Sequence, residues 1–201
     1  MIAFHMLFVV SWWLPGVNLF GSLLVWFVLQ LGVHLGYHRY FAHASFKTCA
    51  AFELLMACVG CLAFQNGPLW WASKHRHHHR ASDTDADHHS PNGGFWHAHI
   101  GWLLNEKTDD VDLRLIPDLL RPVPLWVERH QRALHLLYVS SLVLIFGWPA
   151  LLTLWIVPIV LCWHTTFATN SICHRFGSQP FASRPHGLCS ARNNPIVAIV
   201  N

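Results

Sequence analysis

Histidine is the residue type with the clearest chemical potential in this sequence. The stretch SKHRHHHRASDTDADHH, from Ser73 to His89, holds six of the chain's 17 histidines. His75, His78 and His79 stand at positions i, i+3 and i+4, so on a helix they share one face while His77 points elsewhere. Neutral imidazole is a ligand for iron, zinc, copper and nickel. The cluster therefore predicts a metal site.

Two further histidine sets lie at the ends of apolar segments. His38 and His43 form an H-x4-H pattern, and His174 follows in NSICHRFG. On an ideal α-helix, residues five apart are about 140° apart, so His38 and His43 could bind two different metals or flank one. Neither packing nor charge balance selects for imidazole, so we interpret the three sets together as metal ligands.

The remaining histidines outside these sets are interpreted as structural when taken singly. They include His5, His34, His97, His130, His135 and His164. His34 precedes His38 by one helical turn and is the best of them as a partner that orients a ligand.

The composition predicts a membrane protein of a single domain, residues 1–201. Charged residues make up 11% of the chain, against about 25% in an average soluble domain. Apolar residues make up 53%, and the mean hydropathy is +0.33. The formal net charge of +3 is too small to suggest a nucleic-acid partner.

Apolar runs fall in two pairs, at about 1–14 and 17–37 and at about 133–146 and 150–169. Turn residues Pro15-Gly16 and Gly147-Trp148-Pro149 separate the members of each pair. Every Lys, Arg, Asp and Glu lies within 39–132 or 175–192, so two hairpins put all the charge on one side of the bilayer. The positive-inside rule makes that side cytoplasmic. We predict an all-α, multi-pass membrane protein: two transmembrane hairpins with a cytoplasmic, histidine-rich helical cap.

A fifth apolar run, Cys49–Phe64, contains Glu53. If it crossed the membrane, it would separate His38 and His43 from the cluster at 75–79. We therefore interpret it as a helix in the interface or packed on the bundle. Cys58 and Cys61 form a C-x-x-C pattern inside this run and are interpreted as small buried residues.

The ligand types narrow the kind of metal site. The sequence contains no H-E-x-x-H and no E-x-x-H, and it has three glutamates, which argues against a zinc protease and a ferritin-type di-iron bundle. More than four histidines implies two metals, or one metal with redundancy. An all-histidine site at a membrane face suits a metal that activates oxygen for attack on a lipid chain.

The sequence resembles the membrane fatty acid desaturases, in particular their acyl-CoA, Δ9-type branch. The resemblance is carried by GYHRYFAHASFK (36–47), FQNGPLWWASKHRHHHRASDTDADHHSP (64–91), GFWHAHIGWLL (94–104) and NSICHRFGSQPF (170–181), in the family's order. It covers nearly the whole chain.

The resemblance implies a centre of two iron ions, with no catalytic residue separate from the metal ligands. The implied ligands are His38, His43, His75, His78, His79 and His174, with Asn170 reaching a metal through water. We expect the six imidazoles to surround one pocket at the cytoplasmic membrane edge. The implied reaction uses O₂ to introduce a cis double bond into an acyl-CoA or an acyl lipid. Ferredoxin or cytochrome b5 would donate the electrons.

Some neighbours of these histidines have two readings. Trp70 and Trp71 fit an interfacial aromatic belt or the wall of an acyl tunnel. Arg39, Arg76 and Arg80 fit a solvated membrane edge or a contact to the substrate headgroup.

Asp83, Asp85 and Asp87 likewise have two readings. They could hydrogen-bond to ligand imidazoles or simply lie in the interface.

The sequence departs from the family pattern in two places. The family's third histidine box, usually within GEGWHNNHH, follows shortly after an NNP element. Here Asn193-Asn194-Pro195 is followed by IVAIVN, and the sequence stops at Asn201. We therefore expect a desaturase domain that is incomplete at its C-terminus and inactive by itself.

The second departure is His88, which stands where the family usually has proline. We expect that His88, His89, His97 and His99 do not fold inward as replacement ligands.

Three alternatives stay open. A membrane lipid hydroxylase has a similar histidine pattern, although the 64–104 flanks favour a desaturase. The second alternative is a non-catalytic metal-binding or transport protein. A transporter should have polar ligands in the middle of the membrane, whereas the histidines here lie at the ends of the apolar segments, which weighs against transport. The third alternative is a fragment without activity of its own.

Overall fold

The computed structural model of the chain describes residues 1–14, 16–104 and 110–176. Within these ranges every regular segment is helical and no β-strand occurs, which confirms the predicted all-α class. Two helices are long and apolar enough to cross a membrane: Leu19–Ala42, with 24 residues, and Leu152–Cys173, with 22.

The helices follow one another with short connections in the described part of the chain. The α-helices are α1 Ile2–Ser11, α2 Leu19–Leu31, α3 Ala50–Leu62, α4 Pro68–Ala81, α5 Phe95–His99, α6 Pro122–Phe146 and α7 Val157–Ala168. π-Helical segments span Gly32–Ala42, Leu152–Ile156 and Thr169–Cys173. Single 3₁₀ turns span Pro91–Gly93, Gly101–Leu104, Leu113–Leu115 and Pro117–Leu119.

The helix ends follow from local sequence. Asn18 caps α2, because its Oδ1 accepts the Gly21 N–H at 3.1 Å. Pro122 opens α6, where the missing N–H costs nothing. Gly147 ends α6 with φ of +78°, a conformation that favours glycine.

The helices extend beyond the predicted apolar runs. The run 17–37 lies within Leu19–Ala42 except at its start, and the run 133–146 is only the second half of α6. Polar residues lower the hydropathy of a segment, but they do not interrupt its backbone hydrogen bonds. Apolar windows therefore located these helices, which continue beyond the apolar runs.

The described residues divide into two compact units. The first unit comprises Met1–Leu69 and Asp118–Trp163. Within it, α3 packs against α6 and against the π-helical segment Gly32–Ala42. Glu53 of α3 is buried and forms an ion pair with Arg121, so the one carboxylate of this apolar helix is compensated.

Helix α3 corresponds to the predicted run Cys49–Phe64. The helix has 13 residues, so it leaves out Cys49 and the last two residues of the run. Cys58 and Cys61 lie on α3 as free thiols.

The second unit comprises the described residues within Trp70–Pro117 and from His164 to Phe176. Its core includes Ala98, Trp102 and Ile116. The 3₁₀ turn Leu113–Leu115 is held beneath α4, because Arg76 Nη1 donates to Leu115 O at 2.9 Å. The expected site of the third box, after Asn193-Asn194-Pro195, lies outside the described residues.

Candidate metal centre

In the first unit, a π-helix brings the H-x4-H pair together. The His43 N–H donates to His38 O at 3.0 Å, which is an i→i+5 backbone hydrogen bond. Residues five apart are therefore neighbours on this helix, and His38 Nε2 lies 3.1 Å from His43 Nε2. The angle of about 140° expected for an α-helix does not apply here, because the segment Gly32–Ala42 is π-helical.

In the second unit, α4 places its histidines as the sequence predicted. His75 Nε2 lies 2.9 Å from His79 Nε2, and the His78 ring is 5.5 Å from that of His79. His77 points away from this face and stacks on His88, with ring centroids 4.6 Å apart. The spacing i, i+3, i+4 is therefore realised on one face of an α-helix.

A carboxylate from α6 caps the start of α4. The Leu69 N–H donates to Glu128 Oε2 at 2.8 Å, which satisfies one of the unpaired amides at the helix N-terminus. A Cβ atom on Gly67 would lie 2.2 Å from Glu128 Oε2. Glycine at position 67 therefore leaves room for the cap, and the cap fixes where the histidine-bearing helix begins.

Two of the three aspartates after α4 bind imidazoles. Asp87 Oδ2 accepts from His78 Nδ1 at 2.9 Å, and Asp83 Oδ1 accepts from His174 Nδ1 at 3.0 Å. A carboxylate that binds Nδ1–H fixes the tautomer whose lone pair is on Nε2. The predicted imidazole contacts are confirmed for Asp83 and Asp87, whereas Asp85 is exposed.

The Asp87 carboxylate accepts three hydrogen bonds. Besides His78, it accepts the backbone N–H groups of Asp83 at 3.1 Å and of His89 at 3.3 Å. Burial by itself would raise the pKa of Asp87, but the hydrogen bond from His78 and the neighbouring His89 hold that pKa well below its usual range. Asp87 therefore stays charged and anchors the ring of His78.

His89 lies against this anchor. It is buried, its ring centroid is 4.3 Å from that of His78, and burial lowers the pKa of His89 to about 3. Donor atoms of His78, Asp87 and His89 lie within 4.8 Å of one another and could hold a metal ion. Because the Asp87 carboxylate is already occupied by three donors, we assign it an orienting role.

Asn170 lies in the last π-helical turn, Thr169–Cys173, and His174 directly follows that turn. Asn170 is half-buried within the turn, and His174 is the buried residue that ends it. The His174 ring centroid lies 5.0 Å from that of His78. The second unit thus brings His174 to the face of α4 that carries His78.

The residues predicted to contact substrate differ in their burial and in their contacts. Trp70 is buried and stacks on Trp102 at 6.2 Å, and Trp71 stacks on His75 at 4.9 Å. Arg76 donates to a backbone carbonyl, and Arg39 is exposed on the first unit. Trp71 is therefore in direct contact with a predicted ligand.

Several single histidines make the backbone contacts expected of structural residues. His34 Nδ1 lies 3.1 Å from Gln30 O, His130 Nδ1 2.8 Å from Trp126 O, and His135 Nε2 2.8 Å from Cys61 O. Each of these rings satisfies a backbone carbonyl.

The expectation that His89 and His99 do not serve as replacement ligands stays a prediction. Both residues are buried in the second unit. His99 lies 72 positions from its partner Ser171, a distance that no motif spacing reveals. The Asp87-x-His89 pair was visible in the sequence but resembled a loop.

The donor set fits iron. His78 and His174 have their Nδ1 protons fixed by carboxylates, and imidazole nitrogen is a common iron ligand. For metal–nitrogen bonds of about 2.1 Å, two ligands at 90–110° are about 3.0–3.4 Å apart. The Nε2 spacings of 3.1 and 2.9 Å agree with this, and a proton shared between two rings gives the same spacing.

Comparison with known proteins agrees with this chemistry. The model of the fatty acid desaturase family matches residues 11–200. The chain therefore belongs to the fatty acid desaturase family, which confirms the resemblance found in its histidine boxes.

Three relatives show the range of this similarity. The sn-2 palmitoyl-lipid 9-desaturase of Nostoc sp. (strain 36) is 34% identical over 186 residues, which cover 89% of this chain and 65% of the relative. The sn-1 stearoyl-lipid 9-desaturase of Anabaena variabilis is 36% identical over 85% of this chain and 62% of its own length. The icosanoyl-CoA 5-desaturase of Limnanthes douglasii is 34% identical, with 75% and 44% covered. The chain thus spans less than two thirds of each.

Proposed function

We propose that this chain acts as an acyl desaturase, introducing a cis double bond into a long-chain acyl group with a histidine-bound di-iron centre. The proposed ligands are His38, His43, His75, His78, His79 and His174, with Asn170 acting through water. The observation that carries the proposal is the pairing of Nε2 atoms at 3.1 and 2.9 Å, His38 with His43 and His75 with His79. Family membership agrees with it.

The proposed reaction balances as acyl –CH₂–CH₂– with O₂, two electrons and two protons giving –CH=CH– and two waters. Bound iron would supply the binding and reduction of O₂. The chain's own residues hold the ligands: Asp87 and Asp83 keep the Nδ1 protons of His78 and His174 in place, so each ring presents a neutral lone pair. Trp71, stacked on His75, would exclude water and line the path of the acyl chain.

The proposed topology has four spans and a cytoplasmic cap. The two long apolar helices support two of the spans, and α1 and α6 would supply the other two. The charge distribution of the sequence supports a cytoplasmic location for the histidine boxes.

The proposed substrate is an acyl lipid or an acyl-CoA. Relatives at similar identity are named for lipid-linked and for CoA-linked substrates. Both carriers of the acyl chain are therefore kept in the proposal. Arg39 and Arg76 are proposed to contact the headgroup. An external ferredoxin or cytochrome b5 would supply the electrons.

The first test is metal binding, which needs no turnover. The purified chain is loaded anaerobically with Fe²⁺, and His79→Ala is compared with His77→Ala. These neighbours share one helix, but His77 stacks on His88 and belongs to no proposed ligand set. We expect His79→Ala to weaken iron binding by at least ~100-fold, more than loss of a ligand's hydrogen-bond partner does, and His77→Ala to bind like wild type. Equal binding by both variants would refute the ligand set.

The second test is acyl-chain analysis in a desaturase-deficient host. It is run with the chain by itself and with the chain extended by the C-terminal region of the Nostoc relative, of which it spans 65%. New cis-monounsaturated chains support the proposal. A hydroxylated product without a double bond supports the hydroxylase alternative. Bound iron with unchanged acyl chains in both forms supports a non-catalytic metal-binding protein.

A further inference from the structure

Ser171 is a fully buried hydroxyl inside the π-helical turn Thr169–Cys173. A π-helical turn contains one residue more than an α-helical turn and is rare outside functional sites. This turn carries Asn170 and ends at His174. His99, the last residue of α5, contacts the turn from another element, with its Nδ1 2.8 Å from Ser171 Oγ.

The directions of the hydrogen bonds around His99 follow from the single serine proton. Ser171 Oγ donates to Phe167 O at 3.0 Å. The hydroxyl must then accept from His99, so His99 carries its proton on Nδ1 and its lone pair on Nε2. That Nε2 lies 2.9 Å from His164 Nδ1 and accepts from it. His164 therefore donates to His99, and His99 donates to Ser171.

The His99 ring is fixed by its neighbours as well as by these bonds. Phe95 stacks on it at 5.6 Å with an interplanar angle of 8°, and Phe167 meets it edge-on at 5.9 Å. Burial lowers the pKa of His99, so the ring stays neutral, as a donor on one nitrogen and an acceptor on the other require. His99 therefore offers Ser171 a rigid, directed donor.

We propose that His99 is a positioning residue, which holds Ser171 and thereby fixes the π-helical turn that presents Asn170 and His174 to the metal. This inference rests on the proposed function. His99 would touch neither metal nor substrate, and would act only through Ser171. Its contact to His164 lies on the other nitrogen and is not needed to hold the turn.

Two substitutions of His99 test the roles of its two ring nitrogens separately. In His99→Asn, the side-chain amide can occupy the place of Nδ1 and still donate to Ser171. In His99→Gln, the amide reaches the place of Nε2, so the contact to His164 is kept and Ser171 loses its donor. Ser171→Ala removes the hydroxyl itself. All three are made in the full chain and purified in detergent.

Two readouts are used. Co²⁺ affinity and the visible spectrum of bound Co²⁺ report the metal site. The alkylation rate of Cys173, mapped by peptide mass spectrometry on metal-free protein, reports the turn, because Cys173 is buried within it.

We expect His99→Gln and Ser171→Ala to weaken Co²⁺ binding by about 10–100-fold and to alter its spectrum. The same variants should speed alkylation of Cys173 by about tenfold, since local opening becomes easier. His99→Asn should stay within about threefold of wild type in both readouts. A general packing role would instead affect the Asn and Gln variants alike, and that result would overturn the inference.

The outcomes also separate this inference from the proposed function. If wild type binds Co²⁺ but His99→Gln binds equally well, the positioning role fails and the metal site stands. If wild type binds no Co²⁺, the proposed function fails, and Cys173 alkylation then decides alone whether His99 holds the turn.

Discussion

Two regions of this chain bring imidazoles together with different backbone geometry. In the first unit, His38 and His43 are five residues apart and meet on a π-helix, whose hydrogen bond also spans five residues. In the second unit, His75 and His79 are four residues apart and meet on an α-helix. In each region, the spacing of the paired histidines equals the spacing of the backbone hydrogen bond.

The two regions also differ in what holds the rings. In the second unit, carboxylates hold His78 and His174 by their Nδ1 atoms. In the first unit, packing dominates: Tyr37 and Phe41, on either side of His38, are fully buried, and the π-helical segment lies close against α3. The first region should therefore be sensitive to steric changes, and the second to changes of charge.

Gly32→Ala should have the largest effect, on the first region. A Cβ atom at position 32 would lie 2.5 Å from Gly60 N and 2.7 Å from Val59 C. These are backbone atoms that cannot rotate away, so α3 and the π-helical segment must separate, at a cost of about 3 kcal/mol of unfolding free energy. Denaturant unfolding in detergent micelles measures the cost.

Gly21→Ala is the matched control in the same helix. Its Cβ would lie 3.3 Å from a methyl group of Thr153, and a side chain can yield, so we expect a loss below about 1 kcal/mol. Equal losses of unfolding free energy in the two variants would contradict the view that steric packing holds the first region.

Asp87→Asn should have the next largest effect, on the second region. The substitution keeps the shape but replaces one carboxylate oxygen with an NH₂ group, which then faces either the donors of His78 and Asp83 at Oδ2 or the backbone N–H of His89 at Oδ1. We expect metal affinity to fall by about 10–100-fold and the unfolding free energy by about 1–3 kcal/mol. Fe²⁺ titration and denaturant unfolding measure the two quantities.

Asp85→Asn serves as the control for this loop. Asp85 is exposed, and we expect its variant to lie within about 0.5 kcal/mol of wild type. A similar loss of affinity in both variants would mean that the charge of the loop matters and the contact to His78 does not.

Asp83→Asn should act in the same direction but more weakly. The Asp83 side chain is 22% exposed, whereas that of Asp87 is 0% exposed, and water can compensate part of the lost contact to His174. We expect metal affinity to fall by less than about tenfold. An effect larger than that of Asp87→Asn would show that His174 depends more on its carboxylate than His78 does.

Asn66→Cys should leave metal affinity unchanged and tests the position of α3. Asn66 has φ of +63°, so a side chain without its local hydrogen bonds costs about 1 kcal/mol there. Cys49 at the other end of α3 is naturally exposed. If α3 does not cross the membrane, a membrane-impermeant maleimide labels both positions from one side. Labelling from opposite sides would make α3 a span.

Part of this molecule could be predicted from local spacing. The i, i+3, i+4 pattern of His75, His78 and His79 requires only an α-helix, and a polar helix beside apolar runs forms readily. The apolar runs likewise located the long helices, because both hydropathy and helix length are local properties. The exclusion of His77 from the ligand face followed from the same periodicity.

The π-helix was not predictable from the same rules. The sequence GVHLGYHRYFA is compatible with an α-helix, on which His38 and His43 would diverge. Which hydrogen-bond pattern forms depends on how closely this segment packs against α3, and Gly32 and Gly60 permit that approach. The same holds for the turn around Ser171, which is stabilised by His99.

Residue types and short spacings were enough to predict the family, the chemistry of the donors and the helical face shared by His75, His78 and His79, because each of these is a property of one segment. Tertiary structure decided which aspartate holds which histidine, that His89 and His99 lie inside, and that an i, i+5 pair can meet. Asp83 and His174 are 91 positions apart. No periodicity links them, and only the packing of their segments brings a carboxylate to that imidazole.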